Sequence, residues 1–204
     1  RLIYHICMIC HVRLKELKNI RQIVIYSLEQ SKICCSHKKS GMQFEKQRED
    51  MKTAVFPGSF DPVTSGHLDL IKRASKMFDR LILGVLINSS KKPLLTVEER
   101  VRLLKEVTKD LKNVEVEAFD GLLVDFVDRC DADVIVRGLR TSNDFEYELP
   151  LAQANYKLNE SADTIFLATS PEYSYVSSSA VKELMRYNAD ISGFVPEEAL
   201  KYLN

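Results

Sequence analysis

The chain has 204 residues, 45% hydrophobic and 28% charged, which suits one globular domain with a sizeable core, or one domain plus an appendage. Lys+Arg and Asp+Glu balance at 29 each, so no net charge marks the chain for a nucleic-acid or membrane surface. The balance hides an asymmetry: residues 1–50 hold 10 basic and 5 acidic side chains, leaving 19 and 24 for the rest. In chain order, the first fifty residues also hold four of the five cysteines. Cys7-Met8-Ile9-Cys10-His11 matches the C-x-x-C-H pattern of c-type haem attachment, and Cys34, Cys35 and His37 add candidate zinc ligands. Haem attachment requires export, however, and no small scaffold surrounds these residues. Leu2–Val12 is too short to span a bilayer, and the segment lacks the charged start and small-residue cleavage site of a signal peptide. With Arg1 in first place and Met51 directly before the first strand, residues 1–50 are expected to be a non-native or disordered N-terminal extension, with residues 51–204 as the working domain.

In that domain five apolar runs read as buried strands: Ala54–Phe56, Leu81–Ile87, Val114–Ala118, Asp133–Arg137 and Thr164–Ala168. Helical patterns separate them. Leu68, Ile71, Ala74 and Phe78 share one face. Thr96-Val97-Glu98-Glu99 is a capping box opening a helix with Val97, Val101, Leu104, Val107 and Leu111 on its apolar side. Further helices are predicted over Leu122–Cys130 and Asn143–Leu158, and Pro150 predicts a kink or a later start for the second. Another opens at Tyr173–Ser179 and carries Val181, Leu184 and Met185. The alternation predicts an α/β fold: one Rossmann-like, doubly wound domain on a parallel five-stranded sheet. Cys130 continues the apolar face of its helix, so a buried thiol is expected, which fits a reducing cytoplasm.

In such folds ligands gather at the carboxyl ends of the strands. Basic and hydroxyl residues collect at those ends here: Gly58-Ser59, Asn88–Lys92, Arg137–Arg140 and Thr169-Ser170. The first is the most informative, because it begins the ten residues Gly58-Ser59-Phe60-Asp61-Pro62-Val63-Thr64-Ser65-Gly66-His67. A strand, a glycine-bounded turn and a helix in that order form a phosphate-binding arrangement. Backbone comes close to the anion, free N–H groups of the first helical turn point outward, and His67 adds a ring donor. Asp61 is expected to shape the turn before Pro62.

These ten residues resemble the signature of nucleotidyltransferases whose T/H-x-G-H motif, here Thr64-Ser65-Gly66-His67, grips a nucleoside triphosphate. The form G-[ST]-F-D-P-x-T-x-G-H is similar to that of the bacterial phosphopantetheine adenylyltransferases. Ser90-Lys91-Lys92-Pro93, Arg137-Gly138-Leu139-Arg140 with Asp144–Glu148, and Val176-Ser177-Ser178-Ser179 recur in that family's pattern in the same order.

The resemblance implies that the adenylyl group of ATP passes to the 4′-phosphate of phosphopantetheine, giving dephospho-CoA and pyrophosphate by direct in-line attack. It implies catalytic roles for His67 and Lys91, and a substrate site of Ser59, Lys91, Leu123 and Arg137. The ATP site it implies comprises Ser59, Phe60, His67, Gly138, Leu139, Arg140 and Glu148, with Tyr173, Ser174, Tyr175, Val176, Ser177, Ser178 and Ser179. Mg²⁺ is expected with ATP, held through the phosphates rather than by protein ligands. A homohexamer is implied as well, and coenzyme A is a candidate feedback ligand because it contains both halves of the product. Three readings compete: a sibling enzyme acting on nicotinamide mononucleotide or using CTP on a polyol phosphate, a nucleotide sensor without catalysis, and a haem or zinc protein resting on the first fifty residues.

Overall fold

The computed structural model describes residues 52–87 and 93–203. The expectations for residues 1–50, and those for Lys91 and the rest of residues 88–92, lie outside the described residues. The element order is β1 (Thr53–Gly58), α1 (Ser65–Ala74), β2 (Arg80–Leu86), α2 (Val97–Val107), β3 (Val114–Phe119), α3 (Leu123–Arg129), β4 (Val134–Leu139), α4 (Ser142–Leu158) and β5 (Asp163–Ala168). A single 3₁₀ turn, Pro171–Tyr173, then leads to α5 (Ser178–Arg186) and α6 (Glu197–Leu203). The strands form one parallel sheet in the order β3-β2-β1-β4-β5. This is the predicted doubly wound architecture.

The sheet buries both faces, which explains why its central strands are apolar throughout instead of alternating. Ala54 and Phe56 of β1 point to one side, joining Leu70, Ile71, Leu103, Leu104 and Val181 from α1, α2 and α5. Val55 points to the other side, with Ile82, Phe119, Phe126, Val127, Cys130 and Ile135. Cys130 is buried as predicted, and burial pushes its thiol above the ordinary range.

One pairing in the sheet is short. β1 matches β2 from Thr53 to Gly58, but it matches β4 only at Ala54 and Val55. Pro57 supplies the reason. In an extended strand a residue's N–H and C=O point to the same side. The Pro57 carbonyl turns toward β4, where it accepts a 2.9 Å hydrogen bond from Arg137 Nη1. The missing Pro57 N–H therefore falls on the β4 side too, and the ladder stops there. Beyond that point β1 and β4 part and open a cleft at their carboxyl ends.

Helix boundaries differ from the sequence pattern at several points. α1 ends at Ala74, and Phe78 reaches the core from the turn that follows. α2 ends at Val107, and Leu111 packs on the core from beyond the turn that follows rather than from the helix. α4 starts at Ser142 and continues through Pro150, so a later start is ruled out. Pro150 and Glu146, whose carbonyl loses its partner, are both exposed, so water can satisfy that carbonyl. α6 carries no glycine or proline punctuation of its own beyond Pro196, and the sequence pattern did not reveal it. No helix among the described residues is long and apolar enough to cross a membrane.

Gly84, in mid-β2, shows how tightly the layers meet. A Cβ there would lie 2.6 Å from the Phe126 ring and 3.0 Å from that of Phe119. Those rings stack at 4.3 Å and cannot both yield. Gly84→Ala should cost roughly 1–3 kcal/mol by overpacking. A urea midpoint equal to that of the wild type would refute this.

Candidate active site

The cleft's floor is the N-terminus of α1. Thr64 is its N-cap: the Thr64 hydroxyl accepts from His67 N–H at 3.3 Å, and His67 Nδ1 accepts from Thr64 N–H at 3.1 Å. This is a capping box in which histidine takes the place usually held by Glu or Gln. The Thr64 hydroxyl also lies 2.9 Å from Nδ1. Because Nδ1 accepts from a backbone N–H, the proton of the neutral ring sits on Nε2. Burial, followed by the charges of Arg140 and Arg137, pushes the His67 pKa down to about 4. His67 is therefore a neutral ring donor near pH 7.

Phe60 supports this ring from below, edge-on at 5.3 Å. Its own backbone is left-handed, with φ 46°, held so by burial against Phe56 and His67. Gly58 makes the fold-back possible, since a Cβ there would lie 2.9 Å from the Phe60 ring.

Two of the cleft's cations come from β4 and the loop after it. Arg137 is clamped by Glu148 of α4 through two bonds of 2.7 and 2.6 Å. Such a bidentate pair fixes the guanidinium plane. Arg140 is held in the same manner by Asp144, at 3.1 Å through both Nε and Nη2. Asp144 also completes the Thr141 capping box that starts α4. Burial raises the Asp144 pKa, but the bonds from Arg140 and Thr141 outweigh it and hold the carboxyl below its ordinary value.

The opposite wall is the start of α5. Ser177 is its N-cap, accepting from Ala180 N–H at 3.0 Å, and Ser178 donates to the Pro62 carbonyl at 2.8 Å. Asp61 ties this wall to the floor. Its buried carboxylate accepts from the amides of Leu94 (3.0 Å) and Leu95 (2.9 Å) and from the Lys182 ammonium of α5. Burial raises the Asp61 pKa, but those donors prevail and lower it overall. The role expected for Asp61, shaping a turn, is thus the local part of a longer-range one.

Two cavities result, of about 300 and 530 Å³. Pro57, Gly58, Ser59, Arg137, Glu148, Ser178 and Ser179 line both, so the cavities share one wall. The smaller one adds Phe60, His67, Gly138, Arg140, Val176 and Ser177 from the predicted site, and the larger adds Leu123. Leu139, Tyr173, Ser174 and Tyr175 line neither. Leu139 accepts from Thr169 N–H at 2.7 Å, and Ser174 donates to Pro171 O at 2.9 Å. Tyr173 packs on Gly66, and the exposed Tyr175 ring meets Phe194 edge-on at 5.8 Å. Sequence reasoning missed Arg100 and Lys182, which line the larger cavity. A signal for Arg100 existed: it falls on the apolar side of α2 between Val97 and Leu104, a position where a charge needs explaining.

Among the described residues no three His, Cys, Asp or Glu side chains group to hold a metal. The cleft's carboxylates, Asp61, Asp144 and Glu148, already serve Lys182, Arg140 and Arg137.

A helix N-terminus beside clamped arginines at the switch point makes this cleft a site for a phosphorylated ligand. Residues 55–184 match the cytidylyltransferase-like family. A nicotinate-nucleotide adenylyltransferase structure from Vibrio parahaemolyticus shares the fold, at TM-score 0.57 and 20% identity over 76% of this chain and 99% of that one. Phosphopantetheine adenylyltransferases lie much nearer in sequence. That of Lachnoclostridium phytofermentans is 58% identical over 153 residues, covering 75% of this chain and 94% of the relative. Those of Caldanaerobacter subterraneus and Clostridium novyi are 55% and 52% identical, over 72% and 74% of this chain and 92% and 94% of theirs. The chain belongs to the phosphopantetheine adenylyltransferase family.

The His67 geometry makes a titration prediction. The folded chain refuses a proton that the unfolded chain takes near pH 6.5, so this contribution to stability is complete above that pH and is lost as pH falls toward 4. Nitrogen-15 NMR should show the Nε2–H tautomer, unprotonated at Nδ1, from pH 8 down to about 5. A midpoint near 6.5 would contradict the assignment.

Proposed function

We propose that the two cavities bring two phosphates together for adenylyl transfer from ATP to phosphopantetheine. The carrying observation is the shared wall at Ser59, Arg137, Ser178 and Ser179, with His67 on the side of the smaller cavity. The triphosphate occupies the smaller cavity, and the acceptor with its 4′-phosphate occupies the larger, against Leu123. An acceptor phosphate oxygen attacks the α-phosphorus in line. The new P–O bond forms as the bond from the α-phosphorus to the bridging oxygen breaks, releasing pyrophosphate and dephospho-CoA. The attacking oxygen is already anionic, so no general base is needed.

The residues' task is positioning and charge stabilisation. Glu148 acts through Arg137, holding its guanidinium flat against the shared wall. His67 donates through Nε2–H to the α-phosphate, where charge develops. Arg140 and the α5 amides near Ser177–Ser179 face the leaving phosphates. Lys91 completes the set by spanning both anions, as the family resemblance implies. Mg²⁺ would arrive bound to the ATP phosphates and offset part of their charge.

The enzyme is proposed to work in the cytoplasm, which suits the buried free thiol of Cys130, the one cysteine among the described residues. α4 supports a homohexamer: it buries none of its residues and exposes Tyr147, Leu151 and Leu158, an apolar face that other copies would cover. Coenzyme A, carrying both halves of the product, would inhibit by filling the same cleft.

Pyrophosphate release by the full chain, with ATP, Mg²⁺ and one acceptor at a time, tests the reading. Release with phosphopantetheine, and none with nicotinamide mononucleotide or without acceptor, is expected. Release only with nicotinamide mononucleotide would overturn the acceptor assignment. His67→Ala should lower kcat by about 10²–10³ while ATP affinity by calorimetry stays near that of the wild type. A loss of affinity with turnover intact would remove the transition-state role.

A further inference from the structure

The larger cavity holds five charged side chains among the described residues, and four of them cancel. Arg137 pairs with Glu148, and Lys182 pairs with Asp61. The fifth, Arg100, is 4% exposed, yet no carboxylate lies within ion-pair distance of it among the described residues. Its guanidinium donates to backbone carbonyls instead: Nη1 to Ser59 O at 2.8 Å and Leu86 O at 3.3 Å, and Nε to Thr96 O at 3.4 Å. Buried charges are normally paired, because desolvation is expensive and neutral carbonyls offset it only in part. A buried, uncompensated cation at a cavity wall marks a place where an anion arrives from outside the chain.

We propose that Arg100 is the standing counter-charge for the acceptor's phosphate, and so the residue that distinguishes a phosphorylated acceptor from its unphosphorylated form. The assignment rests on the acceptor occupying the larger cavity. Three features support it. Arg100 bonds the carbonyl of Ser59, the residue at the wall shared with the ATP cavity, so its charge sits directly behind the point where the acceptor phosphate must lie. The carbonyls of Ser59, Leu86 and Thr96 come from the turn after β1, the end of β2 and the start of α2, so they hold the guanidinium from three sides. The cation cannot swing away to water as a surface lysine can. Among the described residues the two other pairs are internally neutral, which leaves Arg100 as the uncompensated charge on the wall of this cavity.

Calorimetry on the full chain, with phosphopantetheine and with pantetheine, separates this role from a structural one. Wild type should prefer phosphopantetheine. Arg100→Met should shrink that preference by about tenfold or more while leaving pantetheine affinity close to wild type. A merely structural arginine would weaken both ligands together, and an unchanged preference in Arg100→Met would overturn the proposal. If Arg100→Met does not fold, Arg100→Lys decides: it keeps the charge and should keep most of the preference, so its loss in a folded Lys variant counts against the proposal. In wild type, the Arg100 Nε–H resonance should move with phosphopantetheine and stay in place with pantetheine; equal shifts would also overturn it. Wild type binding neither ligand would remove the acceptor assignment itself.

Discussion

The separation of β1 from β4 is the constraint on which the site depends. A parallel sheet has no reason to open unless a ladder bond is missing, and Pro57 removes one on the side facing β4. Arg137 then does two things with one side chain: its Nη1 satisfies the carbonyl that β4 has left, and its remaining edge is gripped by Glu148. The backbone defect and the cationic wall are thus the same feature. Strand order places it at the switch point, where helix N-termini also converge.

Around that opening, polar groups are fixed by protein partners before any ligand is present. Thr64 orients His67, Asp144 holds Arg140, and Asp61 gathers the Leu94 and Leu95 amides with Lys182. Oriented donors need little reorganisation when charge develops, which is the main electrostatic advantage a protein has over water. The arrangement has a cost in the free protein. Arg137 and Arg140 face one cleft and depress the His67 pKa, and Arg100 is buried with only carbonyls for company. Incoming polyanions relieve each of these.

What was legible in the sequence was local. The glycine turn, the Thr96 capping box, the strand runs and the order of the motifs depend on neighbours within a few positions. Those signals are enough for the fold class and for the expectation that Ser59, His67, Arg137, Arg140 and the α5 serines gather at one cleft. What was illegible depended on distant partners. Asp61 reads as a turn residue because its amide and ammonium partners lie 33, 34 and 121 positions away. Arg100 reads as one charge on an amphipathic helix until the carbonyls of Ser59 and Leu86 surround it. Glu148 could be matched by motif, but only the folded chain shows its carboxylate committed to Arg137. Pro150 misled in the other direction, because its helix-breaking effect is small where the freed carbonyl meets water.

The first turn of α1 is completed from the far end of the molecule. Ser65 N–H donates to the carbonyl of Phe194 at 2.9 Å, and the Phe194 ring meets Tyr175 on the segment leading into α5. During synthesis the ribosome therefore releases α1 long before the residue that satisfies its first amide. A nascent chain stopped short of Ile191 could pair all five strands and still hold an unfinished anion site. The amide that opens α1 is thus satisfied from a segment almost 130 residues further along the chain, so the floor of the anion site is complete only once that segment has docked.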